Sequence, residues 1–410
     1  MVLSLYLRKK VLKVVILVTN DIETDQRVAR MAGSISSMGY AVTIVGRKLP
    51  SSKKKLDLIY STFRFRLPIN HGPLFYLSYN VWAFFFLLFR RFSVIVACDT
   101  DTLIAGRTIR LLKPSWLVFD AHELFTEMPE LVDGKHRFAR WTWKLVENAC
   151  ISGCDLALTV SESIALEYEK RYGKTFIVLR NLPYSRAIPA VPNKHKRPLI
   201  IYQGAINLGR GLELLCESMK LIPEADLWIA GTGDLERSIK ELAAPLIAKG
   251  QVRFLGRVVP DVLYTITTEA MVGVSLEEDL GLSYRYALPN KLFDYIAAGI
   301  PVLVSNLPEM KKMVDDYGVG LVLSERTPQS LANALRTMLK TEYYDEDGYL
   351  VRTELASDVK EMGGRKVAAH IEIIPADKAN QKTVIVVDVI KFNIGLNDNT
   401  FSQQTMKTIK

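Results

Sequence analysis

The sequence predicts an α/β protein built from two doubly wound domains that face one another across a cleft. Strand-like apolar runs alternate with helix-like segments in both halves of the chain, and a proline-rich stretch separates the halves. A length of 410 residues fits two or three domains. Because 49% of the residues are hydrophobic and 24% are charged, a disordered, collagenous or fibrous chain is excluded.

The first domain is assigned to residues 1–184. Residues 14–18 form a β-rich apolar run, residues 26–38 place apolar side chains at helical spacing, and residues 40–45 form a second strand-like run. Such a βαβ unit implies a parallel sheet with a right-handed crossover. Further strands are predicted at residues 93–97, 116–119, 156–160 and 176–179, and further helices at residues 102–112 and 162–172, the last with Ser161 as its N-cap.

The second domain is assigned to residues 199–342, after a proline-rich linker at residues 185–198. The strand and helix signals alternate here as they do in the first domain. Strands are predicted at residues 199–202, 226–230, 252–255, 271–275, 302–305 and 320–323, and helices at residues 211–219, 235–248, 290–298 and 328–339. Ligands of doubly wound domains bind at the carboxyl ends of the strands, so the cleft between the domains is the expected site.

The last segment, residues 347–410, has a different pattern. Residues 348–355, 368–375 and 383–389 alternate apolar and polar side chains, and Gly363–Gly364 marks a turn. This alternation is typical of antiparallel strands and predicts a short β tail in place of further α/β structure.

Charge and cysteine content limit the partners and the compartment. The net charge of +9 favours an anionic membrane or a phosphorylated ligand. The sequence has no zinc-finger spacing and no long arginine-rich tract, so nucleic acid is not an expected partner. Residues 11–18 contain Lys13 and are interpreted as a buried strand, not as a signal peptide. A cytoplasmic protein with four reduced, buried thiols is expected: Cys98, Cys150, Cys154 and Cys216.

An aromatic segment at residues 73–89 allows two interpretations. It is shorter than the roughly 20 apolar residues that a membrane span needs. The segment is either a buried helix of the first domain or a helix that lies on the inner membrane as a peripheral anchor. In the second case its basic flanks are Lys53–Lys55 and Arg90–Arg91.

The loops that follow the first strand of each domain differ. Residues 19–27 contain no glycine, which argues against a dinucleotide fingerprint; the loop either faces an acceptor or caps the next helix through Thr24 or Asp25. Residues 202–211 contain three glycines, including Gly204, and place Arg210 at a helix start. This pattern predicts a phosphate cradle, the alternative being a surface arginine beside a flexible turn.

Residues 288–302 carry the most specific signal for donor binding. Asn290 and Lys291 occupy the first turn of a predicted helix, and Asp294 lies one turn further along. An amide and a lysine suit a diphosphate, and a carboxylate suits ribose hydroxyls. The alternative is an exposed ion pair between Lys291 and Asp294.

Three further groups are singled out by their positions after strands. Gly231 and Gly233 complete the donor-binding candidates, and Glu277–Asp279 is predicted to be a solvated loop, with a contact to the donor sugar as the alternative. The catalytic candidates Asp120, His122 and Glu123 follow a first-domain strand and suit an acceptor hydroxyl or a general base, although His122 could equally be structural. A metal site would need more ligands than this cluster offers, so no metal is predicted.

The motifs together resemble glycosyltransferase family four over residues 12–342. The resemblance is carried by residues 25–28, 120–127, 202–204, 254–256 and 289–295. It implies the GT-B fold and retaining transfer from a nucleotide-sugar, with no cofactor, donor binding by the second domain and acceptor binding by the first. It further implies that Arg210 and Lys291 hold the diphosphate. Asp294 takes the place of the second glutamate of the Glu-x7-Glu motif.

Two positions depart from this pattern. Tyr286 stands where the first glutamate of the motif would fall, and Ala205 stands where many relatives have a phosphate-binding arginine. The tail, on residues 358–366 and 392–396, resembles the C-terminal part of LolA-like outer-membrane lipoprotein-sorting proteins. This combination suggests a chimera joined near residues 343–347 that lacks the bracing C-terminal helix of relatives.

The resemblance implies a glycosyltransferase of surface glycan synthesis, of the polysaccharide or lipopolysaccharide kind. Its partners would be a nucleotide-sugar and a glycan or lipid-linked acceptor. A GT-B-fold epimerase or phosphorylase would share the phosphate cradle but would need no separate acceptor. The tail leaves an inactive chimera or a lipoprotein carrier as further alternatives.

Overall fold

The computed structural model describes residues 11–23, 25–49, 52, 58–132, 136–187, 197–339, 341–344, 350–362, 365–375 and 381–386. It contains two domains with parallel sheets, followed by a small antiparallel sheet. This confirms the predicted fold class. Most of the predicted linker, residues 188–196, lies outside the described residues.

The first domain has seven parallel strands with helices on both faces. The strands are β1 (Lys13–Asp21), β2 (Ala41–Arg47), β3 (Ser61–Phe65), β4 (Val94–Cys98), β5 (Trp116–Ala121), β6 (Leu156–Thr159) and β7 (Ile177–Val178). The helices are α1 (Gln26–Ser37), α2 (Pro73–Leu88), α3 (Leu103–Leu112), α4 (Pro129–Val132), α5 (Arg137–Cys150) and α6 (Glu162–Tyr172), with 3-10 turns at Thr100–Thr102, Phe125–Glu127 and Ile151–Gly153. The strand order is β3-β2-β1-β4-β5-β6-β7, so the order reverses between β1 and β4.

Strand β1 shows why the apolar runs of this domain lack a polar face. Val15 and Leu17 pack in a cluster with α2 and α3, whereas Val14 and Ile16 pack on the opposite face with α1. Burial on both faces requires a continuous apolar strand, as is usual in parallel sheets. The interpretation of residues 11–18 as containing a buried strand is therefore confirmed.

The second domain repeats this arrangement with six parallel strands. The strands are β8 (Leu199–Gln203), β9 (Asp226–Ala230), β10 (Val252–Gly256), β11 (Val272–Ser275), β12 (Val302–Ser305) and β13 (Gly320–Leu323). The helices are α7 (Leu212–Met219), α8 (Glu236–Leu242), α9 (Ala244–Ala248), α10 (Pro260–Thr268), α11 (Leu282–Arg285), α12 (Asn290–Ala297), α13 (Pro308–Tyr317) and α14 (Pro328–Met338). The order β10-β9-β8-β11-β12-β13 reverses between β8 and β11. A ligand site is expected at each reversal point.

The tail forms an antiparallel sheet, as predicted. Its strands are β14 (Thr341–Tyr344), β15 (Leu350–Met362), β16 (Arg365–Pro375) and β17 (Thr383–Val386), in sequential order. Strand β14 pairs with β15, so this sheet begins before the predicted tail start at residue 347. The predicted turn at Gly363–Gly364 and residues 387–410 lie outside the described residues, as does most of the predicted junction.

Several elements differ from the sequence-based expectation. The predicted helix at residues 235–248 is two helices, because Pro245 cannot donate to the helix ladder and starts a new one at α9. Strand β3 and helices α5, α10 and α13 were not predicted. Helix α5 starts after His136 without a side-chain cap, which removes the usual start signal.

Candidate active site

The two domains enclose a cleft with a cavity of about 540 Å³. Its lining contains six of the sequence-predicted site residues: His122, Glu123, Gly204, Arg210, Asn290 and Lys291. The other lining residues include Asn20, Asp25, Gln26, Arg27, Asp99, Tyr202, Gln203, Ala205 and several residues between 283 and 289. The predicted residues outside this lining are Asp120, Gly231, Gly233 and Asp294. The cleft thus combines a first-domain wall rich in carboxylates with a second-domain wall that carries two cations.

The cationic wall is formed by Arg210 and Lys291, which share one buried carboxylate. Lys291 Nζ lies 2.7 Å from Glu277 Oε1, and Arg210 Nη1 lies 3.7 Å from the same atom. The Glu277 side chain is fully buried and the Lys291 side chain is 8% exposed. Burial alone would raise the pKa of Glu277, but Lys291 and Arg210 outweigh it and the pKa is lowered. Glu277 is therefore ionised, and the group carries one net positive charge.

Glu277 is held from behind by two neighbours. The Ser275 hydroxyl donates to Glu277 Oε2 at 2.7 Å, and Arg326 donates to the carbonyl oxygens of Leu276 and Glu277 at 3.2 and 3.1 Å. The prediction of a solvated loop is wrong for Glu277. A signal was present, because Glu277 follows β11 by two residues and so stands at the carboxyl end of a buried parallel strand.

Lys291 and Arg210 also pack on aromatic rings that face the cleft. Lys291 Nζ lies 4.2 Å from the ring centroid of Tyr202, and the Arg210 guanidinium lies 4.9 Å from that of Tyr284. These cation–π contacts orient the ammonium group of Lys291 and the guanidinium group of Arg210, and they leave the net charge of both groups unchanged. The alternative of a surface arginine beside a flexible turn does not fit Arg210.

The three predicted glycines act through the backbone. Gly204 has a φ of +140°, a backbone conformation that other residues rarely adopt, and a Cβ there would lie 3.8 Å from Lys291 Nζ. A Cβ on Gly231 would lie 1.8 Å from the Gly204 carbonyl oxygen, and one on Gly233 would lie 2.3 Å from Asn207 Oδ1. Gly231 and Gly233 therefore allow two loops to pack closely at the edge of the cleft.

Asp294 lies beside a smaller cavity and joins the two domains. Its Oδ1 accepts a hydrogen bond from Arg30 Nη2 of α1 at 3.1 Å, and its Oδ2 accepts one from Gln203 Nε2 at 3.2 Å. We call the contact of Arg30 with Asp294 the interdomain bridge. Asn290 makes a second link, since its Oδ1 accepts from Asn181 Nδ2 at 3.1 Å. An exposed Lys291–Asp294 pair, the alternative left open by the sequence, is not formed.

On the opposite wall, His122 is enclosed by two carboxylates. Its Nε2 lies 2.8 Å from Asp120 Oδ2, its Nδ1 lies 3.0 Å from Asp99 Oδ2, and its backbone N–H donates to Asp99 Oδ1 at 2.9 Å. Burial lowers the pKa of His122, but Asp99 and Asp120 raise it more, to well above its usual value. Both ring nitrogens thus lie against carboxylates, an arrangement that favours the doubly protonated ring.

Glu123 lines the cleft next to His122, and its side chain has fewer polar contacts than the His122 ring. Among the described residues, none donates a hydrogen bond to its carboxylate. Burial and the nearby Asp99 raise the pKa of Glu123 to about 7, against the lowering effects of His122, Arg27 and Arg210. A carboxyl group with such a pKa can exchange a proton near neutral pH.

Within the described residues, Cys98, Asp120 and His122 bring possible metal-ligand atoms within 4.8 Å of one another. The His122 nitrogens already contact carboxylates, and burial raises the pKa of the Cys98 thiol to about 12. A metal there would have to displace one of these carboxylates from His122 and remove the proton of a buried thiol. We therefore assign no metal, and the prediction of a metal-free site remains a prediction. All four cysteines are free and buried, as expected.

The glycine-free loop before α1 caps that helix, and its role at an acceptor remains a prediction. Asp25 Oδ1 accepts from the backbone N–H of Val28 at 3.1 Å, so Asp25 is the helix cap. Asp25, Gln26 and Arg27 also line the cleft. The other predicted cap, Thr24, lies outside the described residues.

The aromatic segment forms helix α2, which is buried on one side only. Phe75, Tyr79, Ala83 and Leu87 are buried against the sheet, and Tyr79 donates to the Val45 carbonyl at 2.8 Å. An exposed apolar face is made of Leu74, Leu77, Val81, Trp82, Phe85 and Phe89. None of the helices in the described part of the chain combines the length and hydropathy that a membrane crossing requires.

Comparisons with known proteins agree with this geometry. The family model described as Glycosyltransferase Family 4 matches residues 25–181, and that described as Glycosyl transferases group 1 matches residues 185–352. A third model, described as an uncharacterized protein, matches residues 332–408, so the LolA-like character of the tail remains a prediction. An uncharacterized glycosyltransferase of Methanocaldococcus jannaschii is 30% identical over 139 residues, which are 33% of this chain and 34% of that protein. The chain thus spans about a third of the length of this curated relative.

The solved structures show the fold. The sucrose-phosphate synthase of Thermosynechococcus elongatus matches with a TM-score of 0.65 and 18% identity over 80% of this chain and 90% of that one. WaaG, a glycosyltransferase involved in lipopolysaccharide biosynthesis, matches with a TM-score of 0.60 and 16% identity over 80% and 90%. Anabaena HepE in complex with UDP and glucose matches with a TM-score of 0.59 and 13% identity over 80% and 89%. The fold is GT-B, and the two family matches support a glycosyltransferase of that type.

Proposed function

We propose that this chain is a retaining glycosyltransferase that moves a sugar from a nucleoside diphosphate to an acceptor hydroxyl. One observation carries the proposal: Arg210 and Lys291 line one side of the cleft, and Glu123 lines the other. Cations on one wall suit a diphosphate, and a carboxyl group with a pKa of about 7 on the other suits a hydroxyl. The complex of HepE with UDP and glucose shows such a ligand in a protein of this fold.

In the proposed reaction, the bond between the anomeric carbon and the diphosphate oxygen breaks through an oxocarbenium-like transition state. The acceptor oxygen then bonds to the anomeric carbon on the face that the diphosphate leaves, so the configuration is retained. Negative charge builds on the leaving nucleoside diphosphate, and Arg210, Lys291 and the N-terminus of α12 stabilise it. The acceptor proton passes to Glu123. Asp294, whose carboxylate is 26% exposed, is proposed to bind the ribose when the interdomain bridge opens.

The proposed acceptor is a lipid-linked glycan of surface polysaccharide or lipopolysaccharide synthesis, at the cytoplasmic face of the inner membrane. The support is the exposed apolar face of α2, which ends at the exposed residues Arg90 and Arg91. An apolar helix face beside basic side chains suits an anionic bilayer. Vesicle sedimentation tests this: Trp82→Ser with Phe85→Ser should lose binding to anionic vesicles, whereas Leu166→Ser, at an even more exposed apolar residue of α6, should not.

Transfer itself is tested with a panel of nucleotide-sugars and a lipid-linked acceptor extract. Arg210→Ala and Lys291→Ala should each abolish transfer, and the matched control Arg237→Ala, at a 92% exposed arginine, should keep it. If either cleft variant turned over at the wild-type rate, the assignment of Arg210 and Lys291 to a diphosphate site would be wrong. Turnover of the donor without an acceptor would instead indicate an epimerase or phosphorylase.

A further inference from the structure

Asp99 has a backbone conformation that is unusual for its residue type. Its φ is +59° and its ψ is 167°, and among the residues that the structure describes it is the one non-glycine residue with a positive φ. This region is populated almost only by glycine, and a side chain there costs about 1–3 kcal/mol. Such a residue persists where its side chain has a task that glycine could not perform.

The position of Asp99 follows from the sheet. It comes directly after β4, and its backbone N–H donates to the Asp120 carbonyl at the end of β5 at 2.9 Å. This bend turns the Asp99 carboxylate towards the segment after β5. There it accepts from the backbone N–H of His122 and also contacts the ring at Nδ1, at 2.9 and 3.0 Å.

With Asp120 at Nε2, both ring nitrogens of His122 point at carboxylates. A neutral imidazole could donate to only one of the two, so the arrangement fits the doubly protonated ring. A ring that donates from both nitrogens has no lone pair to accept a proton from a substrate. His122 is therefore unsuited to act as the general base that the sequence suggested.

We infer that Asp99 is a positioning residue: it holds His122 as a fixed imidazolium in the wall of the cleft, which leaves Glu123 as the group that exchanges protons. This inference rests on the proposed function only for the role of Glu123. The placement of a permanent cation at His122 and of an anion at Asp99 is a property of the empty protein.

The other charged or titratable groups near His122 are Arg27, Cys98, Asp101 and Glu123. Arg27 of α1 lowers its pKa, while Asp99 and Asp120 raise it. Cys98 of β4 and Asp101 of the following turn are also adjacent, with the Cys98 pKa raised to about 12 and the Asp101 pKa raised to about 8 by burial. Cys98 and Asp101 are therefore uncharged at neutral pH. The negative charge that Asp99→Asn removes from the surroundings of His122 is that of Asp99 itself.

The test is the ionisation of His122, followed by NMR of protein labelled with 15N in its five histidines. His122→Gln identifies the signal. The wild-type ring should stay doubly protonated from pH 6 to 9. In Asp99→Asn, which keeps an acceptor for the His122 N–H but lacks the charge, the ring should titrate within this range. A neutral His122 in the wild type at pH 7.5, or an unchanged signal in Asp99→Asn, would overturn the inference.

A second readout uses the pH profile of transfer. Asp99 raises the pKa of Glu123, whereas the His122 cation lowers it. In Asp99→Asn the acid limb of kcat/KM should therefore shift from its wild-type position, to lower pH where NMR shows His122 still protonated and to higher pH where the ring has lost its charge. Mere structural damage would lower the plateau without moving the limb, and that result would refute the role of Glu123. If the NMR result holds but no variant, including the wild type, transfers sugar, then the His122 assignment stands and the proposed function fails.

Discussion

Replacing Glu277 by glutamine should destabilise the protein and at the same time strengthen nucleotide binding. The carboxylate lies 2.7 Å from Lys291 Nζ, a distance at which two unit charges attract by about 6 kcal/mol at an effective dielectric constant of about 20. Part of this is recovered, because a neutral amide is cheaper to bury than a carboxylate. The remaining loss for a broken buried pair is about 3–5 kcal/mol of unfolding free energy.

Nucleotide binding should change in the opposite direction. Without the Glu277 charge, the group formed by Arg210 and Lys291 rises from one net positive charge to two. A nucleoside diphosphate then supplies the missing anion, so its stabilisation of the folded state should be larger in the variant than in the wild type. Urea unfolding followed by tryptophan fluorescence, with and without UDP, GDP or ADP, measures both effects.

Glu278→Gln is the matched control for this experiment. Its carboxylate lies on the adjacent residue and is 35% exposed, with Arg326 at 3.3 Å. A partly exposed pair of this kind contributes about 1 kcal/mol or less. If Glu277→Gln were as stable as the control, or if it bound every nucleotide more weakly than the wild type, the assignment of Glu277 as the counter-ion of a diphosphate site would be refuted.

Three further predictions follow from buried groups. Burial and Asp99 raise the pKa of Asp101 from 3.8 to about 8. The folded state therefore loses stability as the pH rises through this interval, because the buried carboxyl group must ionise. Asp101→Asn should raise the melting temperature at pH 8.5 more than at pH 5. Gly231→Ala should cost at least about 2 kcal/mol by urea unfolding, since its Cβ meets a carbonyl, whereas Gly318→Ala, with open space, should cost about 1 kcal/mol. Tyr295→Phe leaves a buried N–H without its acceptor and should cost about 1–3 kcal/mol in the same assay.

The domain architecture could be predicted because its signals are local. Helix α6 starts after Ser161, whose hydroxyl accepts from the Ile164 N–H at 3.4 Å, and ends at Gly173 in the left-handed conformation. The sequence alone indicates both ends of this helix, through an N-cap serine and a C-terminal glycine. The alternation of strands and helices likewise requires only neighbouring residues, which is why both parallel sheets were anticipated.

The charge pairing within the site could not be predicted, because it joins distant parts of the chain. Glu277 looks like one member of an acidic surface loop until β11 and α12 bring Lys291 to it. Asp99 gives no sequence signal, since its φ is set by the bend between β4 and β5. Asp294 was expected to bind the ribose, but in the structure its carboxylate forms an ion pair with Arg30 of the other domain. Sequence patterns therefore located the cations of the cleft but not the anions that set their charge.

The interdomain bridge has a kinetic consequence. If product release separates the domains, each catalytic cycle must break and remake the contact of Arg30 with Asp294. Both side chains are partly exposed, at 17% and 26%, so dissolved ions screen their attraction. Ionic strength would then shift the balance between closed and open molecules, and the turnover rate would depend on salt even for an uncharged acceptor.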